Sequence, residues 1–131
     1  MSTAWLYRIA AAILVVFAAL HTFGFLGFKP PTPEGQAVLE SMNSVHFQMG
    51  DKSFSYGEFY RAFGLFITVY MLFSAYVAWL LSRTPMKSLG WGLFAVQAAG
   101  LVLAIVYFST PQISFSGILS ACTGWAALRS V

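Results

Sequence analysis

Residues Phe59–Ser82 read FYRAFGLFITVYMLFSAYVAWLLS, and Arg61 is the only charge among them. A hydrocarbon core about 30 Å thick needs about 20 helical residues, each rising about 1.5 Å, so this run is long enough to cross a bilayer. Three further runs, Trp5–Phe28, Leu89–Ser109 and Ile113–Leu128, are as apolar and as long, or nearly so. Together the four fill most of the 131-residue chain. Charged residues make up 8% of it, against about 25% in a soluble domain. Hydrophobic residues make up 59% and mean hydropathy is +0.75. In water such a chain would expose large apolar patches. The composition predicts an all-α fold, a four-helix transmembrane bundle forming a single integral membrane domain over 1–131.

The breaks between the runs set the predicted elements. Transmembrane helices are expected at about 4–28, 58–82, 88–109 and 112–130. Lys29-Pro30-Pro31 stops the first, because proline lacks an amide hydrogen and disfavours helix in the residue before it. Arg83-Thr84-Pro85 ends the second and Thr110-Pro111 turns tightly into the last. The two short connections put the second, third and fourth helices in antiparallel order. The apolar start, with Arg8 ahead of Ile9–Leu20, resembles a secretory signal but continues through Phe23, Phe25 and Phe28 without a small-x-small cleavage site. It reads as a retained first helix.

The first loop, Lys29–Gly57, is too long for a simple turn. Thr32 suits an N-cap, Pro33 the first helical position and Glu34 the helix dipole. Val38, Met42, Val45 and Met49 then recur at spacings of four, three and four, which predicts an amphipathic helix over about 33–49, with Gly50 ending it. It would lie over the bundle mouth, in the membrane interface, or act as a lid.

Seven basic residues face four acidic ones, a formal charge of +3. These are too few and too scattered for a nucleic-acid surface, so no nucleic acid is expected. They act better as topology signals. Arg8, Arg83, Lys87 and Arg129 fall on one side; Lys29 and Lys52 fall on the other, diluted by Glu34, Glu40 and Asp51. The bias predicts both termini in the cytoplasm and the long loop outside. The single cysteine, Cys122, cannot form an internal disulfide and reads as a small core residue.

Polar side chains in hydrocarbon are costly, so each needs a partner or a purpose. His21 sits about two turns inside the outer end of the first helix. Glu58 and Arg61 open the second at the same level and share a face. Tyr107 lies near the outer end of the third helix, Gln97 near its middle, and Gln112 begins the fourth. His46 comes from the loop above. An outer-leaflet pocket is therefore conceivable, with His21 and Glu58 as proton-handling candidates and Arg61, Gln97, Tyr107, Gln112 and His46 as binding candidates. Each also has a plainer role: an ion pair for Glu58 with Arg61, a hydrogen-bonded packing histidine for His21, interhelical glue for Gln97, a polar loop residue for His46. No metal site is expected, since no cluster of ligating side chains is evident, and the two histidines are poorly placed to face each other across a haem. Small residues recur every four positions at Ala95 with Ala99, Gly100 with Ala104, and Ser116 with Ser120 and Gly124. Such rows let helices approach closely in lipid, within the bundle, in a homodimer or against a partner membrane protein. The small multidrug transporters also have four helices in about this length, but their embedded glutamate in the first helix has no counterpart here.

His21-Thr22-Phe23-Gly24-Phe25-Leu26 and Phe59-Tyr60-Arg61-Ala62-Phe63-Gly64-Leu65 resemble segments of an uncharacterised family of small bacterial four-helix inner-membrane proteins. In architecture alone the chain is also similar to DoxX-like and emopamil-binding-protein-like proteins. The first resemblance implies a bacterial inner-membrane, multi-pass protein. The leading functional expectation is a binding protein or a small enzyme for a lipophilic small molecule or lipid entering an outer-leaflet pocket, where His21 would accept or donate a proton and Glu58 and Arg61 would be the polar anchor. The alternatives are a non-catalytic accessory or assembly subunit of a membrane complex, and a haem or quinone redox protein.

Overall fold

The computed structural model describes residues 2–130. Along them run α1 (Thr3–Leu26), α2 (Pro33–Ser44), β1 (His46–Met49), β2 (Lys52–Ser55), α3 (Tyr56–Arg83), α4 (Lys87–Tyr107) and α5 (Thr110–Arg129). The described residues are helical apart from one hairpin and the connections between elements. Three helices, α1, α3 and α4, are long and apolar enough to cross a membrane. The predicted fourth span, α5, is not among them. Its 20 residues include Thr110, Gln112, Ser114, Ser116, Ser120 and Thr123, which dilute its hydropathy.

The loop helix is shorter than its apolar stripe suggested. Thr32 caps it as expected, its hydroxyl accepting from the Gly35 amide at 3.1 Å. Helix then stops at Ser44, and Val45 is extended. Val45 and Met49 therefore do not continue the face begun by Val38 and Met42. Residues His46–Met49 pair antiparallel with Lys52–Ser55, in a register that sets Phe47 opposite Phe54 and Met49 opposite Lys52. Gly50 does not end a helix; at φ 64° it opens the two-residue turn Gly50-Asp51. Glycine in first place is what a type II′ hairpin requires.

The molecule divides into two compact units. One comprises Met1–Ala18 with Tyr70–Val131, the other Ala19–Val69. The first unit holds a core drawn from four helices. It takes Tyr7, Ala10, Leu14 and Ala18 from α1, Met71, Ala75, Ala78 and Leu81 from α3, Leu93 from α4, and Leu119 and Ala126 from α5. Spacings of three and four put the α1 set and the α3 set each on one helix face. Alanine at so many of these positions lets backbones approach, as packing in lipid demands. α5 lays its buried Leu119, Ser120, Thr123, Gly124 and Ala127 along one face. There the Phe94 ring of α4 fills the space beside Gly124, where a methyl group would meet it at 2.8 Å. The second unit contains the end of α1, α2, the hairpin and the start of α3. Phe47 anchors the hairpin, its ring 4.9 Å from Tyr56 and 5.5 Å from Phe59.

Candidate functional site

In the second unit the end of α1 meets the start of α3 through polar groups and one glycine. His21 Nε2 lies 3.0 Å from the Gly64 carbonyl oxygen. A carbonyl can only accept, so Nε2 carries the hydrogen. One residue on, the Thr22 and Thr68 hydroxyls bond at 2.8 Å. Gly64 is required by contact: the Phe25 ring occupies the place a side chain would take. The same ring stacks on the His21 imidazole at 5.7 Å and tilts against Tyr60 at 5.3 Å. His21 is only part-buried, and its partner is a backbone carbonyl rather than an acid.

Glu58 has a different task. The Ser55 amide donates to its carboxylate at 2.8 Å, and the Glu58 amide donates back to the Ser55 hydroxyl at 3.1 Å. That reciprocal pair is a capping box, which satisfies two amides left open at the start of α3. Arg61 is exposed. His46 is exposed on β1, and its Nδ1 donates to the Ser44 carbonyl at 2.9 Å. Just before Glu58, Gly57 is pressed against Asn43 of α2, which ties that helix to the cap.

The remaining candidates belong to the first unit. Gln97 is 5% exposed, and its amide donates to the Tyr70 hydroxyl at 3.2 Å, joining α4 to α3. Tyr107 is 74% exposed at the end of α4. Gln112 accepts from the Ser109 hydroxyl at 2.6 Å, within the first turn of α5.

The structure thus gives His21, Glu58, Gln97, Gln112 and His46 hydrogen-bond partners within the protein. Sequence reasoning missed Thr22, Phe25, Gly64, Thr68 and Tyr70 as members of these contacts. Two signals were present: the spacing Ser55-x-x-Glu58 before an apolar run is a capping-box signature, and Gly-Asp between alternating segments marks a hairpin. Among the described residues no group of three or more His, Cys, Asp or Glu could hold a metal ion. A shallow, open apolar groove runs along α2, lined by Ala37, Val38, Ser41, Met42, Val45 and Tyr56. Fold and contacts together define a helical protein with three membrane-length apolar helices. No protein-family model, curated protein or solved structure matches the chain.

Proposed function

We propose that this chain is a non-catalytic accessory or assembly subunit in the bacterial inner membrane, with α5 as a fourth span and both termini in the cytoplasm. One observation carries this reading. α4 turns small residues outward: Gly92, Ala95 and Ala99 are all exposed. Apart from the helix's own backbone, a methyl group on Gly92 would meet nothing within 4 Å among the described residues. The comparable row on α5 is already used, with Ser120 and Gly124 buried. Helices in lipid gain no hydrophobic drive toward one another, so small outward residues are where a partner helix can approach. The polar side chains agree with this reading, since His21, Glu58 and Gln97 hold caps and helix pairs. The two segments that resemble inner-membrane proteins also supply the α1–α3 junction: His21, Thr22 and Phe25 from one, Tyr60 and Gly64 from the other.

The test is crosslinking in native membranes, with Ala95→Cys in a Cys122→Ala background. A discrete adduct is expected, to a second copy or to a partner membrane protein, and Ala99→Leu should abolish it. Protein that stays monomeric, or an adduct indifferent to Ala99→Leu, would refute the proposal.

A second reading, a lipophilic molecule or lipid held in the second unit, is favoured by the apolar groove of α2 and Tyr56. Native mass spectrometry of gently extracted protein decides it. A stoichiometric small-molecule adduct that Val38→Asp removes would displace the accessory reading.

A further inference from the structure

We infer that the end of the first unit where α1 and α4 begin and α3 and α5 finish binds the headgroups of anionic phospholipids. The inference rests on the membrane reading above and adds a ligand class to it. All four tryptophans of the chain, Trp5, Trp79, Trp91 and Trp125, lie near these four helix ends. Each has a cation three or four residues away on its own helix, and in three cases the cation lies against the ring. The Arg8 guanidinium lies 5.8 Å from the Trp5 ring centre, Arg83 lies 4.5 Å over Trp79, and Arg129 lies 4.8 Å over Trp125. Lys87 precedes Trp91 by one turn of α4.

These ends are brought together. Tyr7 of α1 has its hydroxyl 3.5 Å from that of Ser130, just past α5. The same Tyr7 hydroxyl abuts Gly90 of α4, where a methyl group would also meet Ala127 Cβ at 3.5 Å. Leu81, two residues before Arg83, joins Leu6, Tyr7 and Ala126 in one buried cluster.

The charge is one-sided. The first unit carries Arg8, Arg83, Lys87 and Arg129 and no aspartate or glutamate. All four acids of the chain, Glu34, Glu40, Asp51 and Glu58, lie in the second unit with only three cations. A topology signal needs only the charge; an indole under three of the four cations is the additional feature. At Arg8 and Arg83 a guanidinium set against an indole engages its flat face and turns its in-plane N–H groups toward phosphate oxygens. The indoles, 39–56% exposed, suit the headgroup level, where one edge meets water and the rest meets hydrocarbon. A free phosphate would use the cations alone. A phospholipid uses both, with its chains along the apolar helix faces, and clustered juxtamembrane cations favour the anionic kind.

The full chain is reconstituted into nanodiscs of equal parts phosphatidylcholine and phosphatidylglycerol, then released gently for native mass spectrometry of the lipids it keeps. Wild type should keep phosphatidylglycerol in preference. Arg8→Gln, Arg83→Gln and Lys87→Gln should each lower that preference by about five-fold. Trp79→Leu should lower it with charge intact, and Lys29→Gln with Lys52→Gln should leave it unchanged. Lys87 is exposed, so its single variant stands if combined variants fail to fold. Equal retention of the two lipids, equal loss in the Lys29 and Lys52 variants, or inorganic phosphate binding as tightly as phosphatidylglycerol would overturn the inference while the membrane reading stands. Wild type that never enters the nanodiscs would overturn both.

Discussion

In Met1–Ala18 with Tyr70–Val131 the buried residues are mainly alanine and leucine, repeated every three or four positions on four helices. In Ala19–Val69 they are Ser55, Gly57 and Gly64. Each of these three has one specific neighbour: Ser55 shares a capping box with Glu58, Gly57 touches Asn43, and Gly64 lies under Phe25 while its carbonyl holds His21. The first region depends on a repeated pattern in which shape is shared among many contacts. The second depends on a few positions where one atom too many has nowhere to go. Tolerance should differ accordingly, since cores absorb volume-conserving swaps while a crowded glycine does not accept a side chain.

The sharpest way to break this contrast is at Gly64. Gly64→Val drives two methyl groups into the Phe25 ring and displaces the carbonyl that His21 holds, at about 3 kcal/mol. Leu14→Met, a volume-conserving change in the first region, should cost less than about 1.5 kcal/mol. Unfolding in mixed micelles followed by circular dichroism compares them. Equal effects would mean that the two regions do not differ in this way.

A smaller effect is expected at the part-buried polar pair that joins α4 to α3 in the first region. Gln97→Leu and Tyr70→Phe should each cost about 0.6 kcal/mol, the average found for such bonds in membranes. The double change should cost no more than either single one, because the two remove the same bond. Strict additivity in the cycle would show that the pair carries no coupling and that the first region rests on apolar packing alone.

The smallest effect is local. Glu58→Ala removes half of the capping box, so amide exchange should quicken at Ser55 and through the first turn of α3 while the rest of the chain is unchanged. Arg61→Met should alter neither. Faster exchange in the Arg61 variant would restore the ion pair as the feature that holds this helix start.

How much of this was legible beforehand differs by element. The four apolar runs predicted α1, α3, α4 and α5 with every end within two residues. Proline and the caps are local signals, and helix ends are set locally. The stripe from Val38 to Met49 misled, because spacings of four and three suit a helix while each residue from Val45 onward also suits a strand. Gly50-Asp51 and the pairing of Phe47 with Phe54 decided between them. The candidate site was legible as a set of polar residues but not as a set of contacts. His21, Glu58 and Arg61 stood out because polar groups are scarce in apolar runs. Their partners turned out to be a carbonyl, a capping serine and open exposure.

The sequence by itself determined the long apolar helices, the scarcity and signs of the charges, and the cap residues. Each depends only on neighbours within a few positions or on summed hydropathy. Only the tertiary structure decided that His21 meets Gly64, that Gln97 meets Tyr70, and that Ser120 and Gly124 of α5 are covered while Gly92, Ala95 and Ala99 of α4 face outward. These outcomes depend on the rotation and separation of packed helices. In the second unit close approach at Gly64 sets them, and in the first the seating of Phe94 beside Gly124 does, neither of which hydropathy or periodicity along one chain encodes.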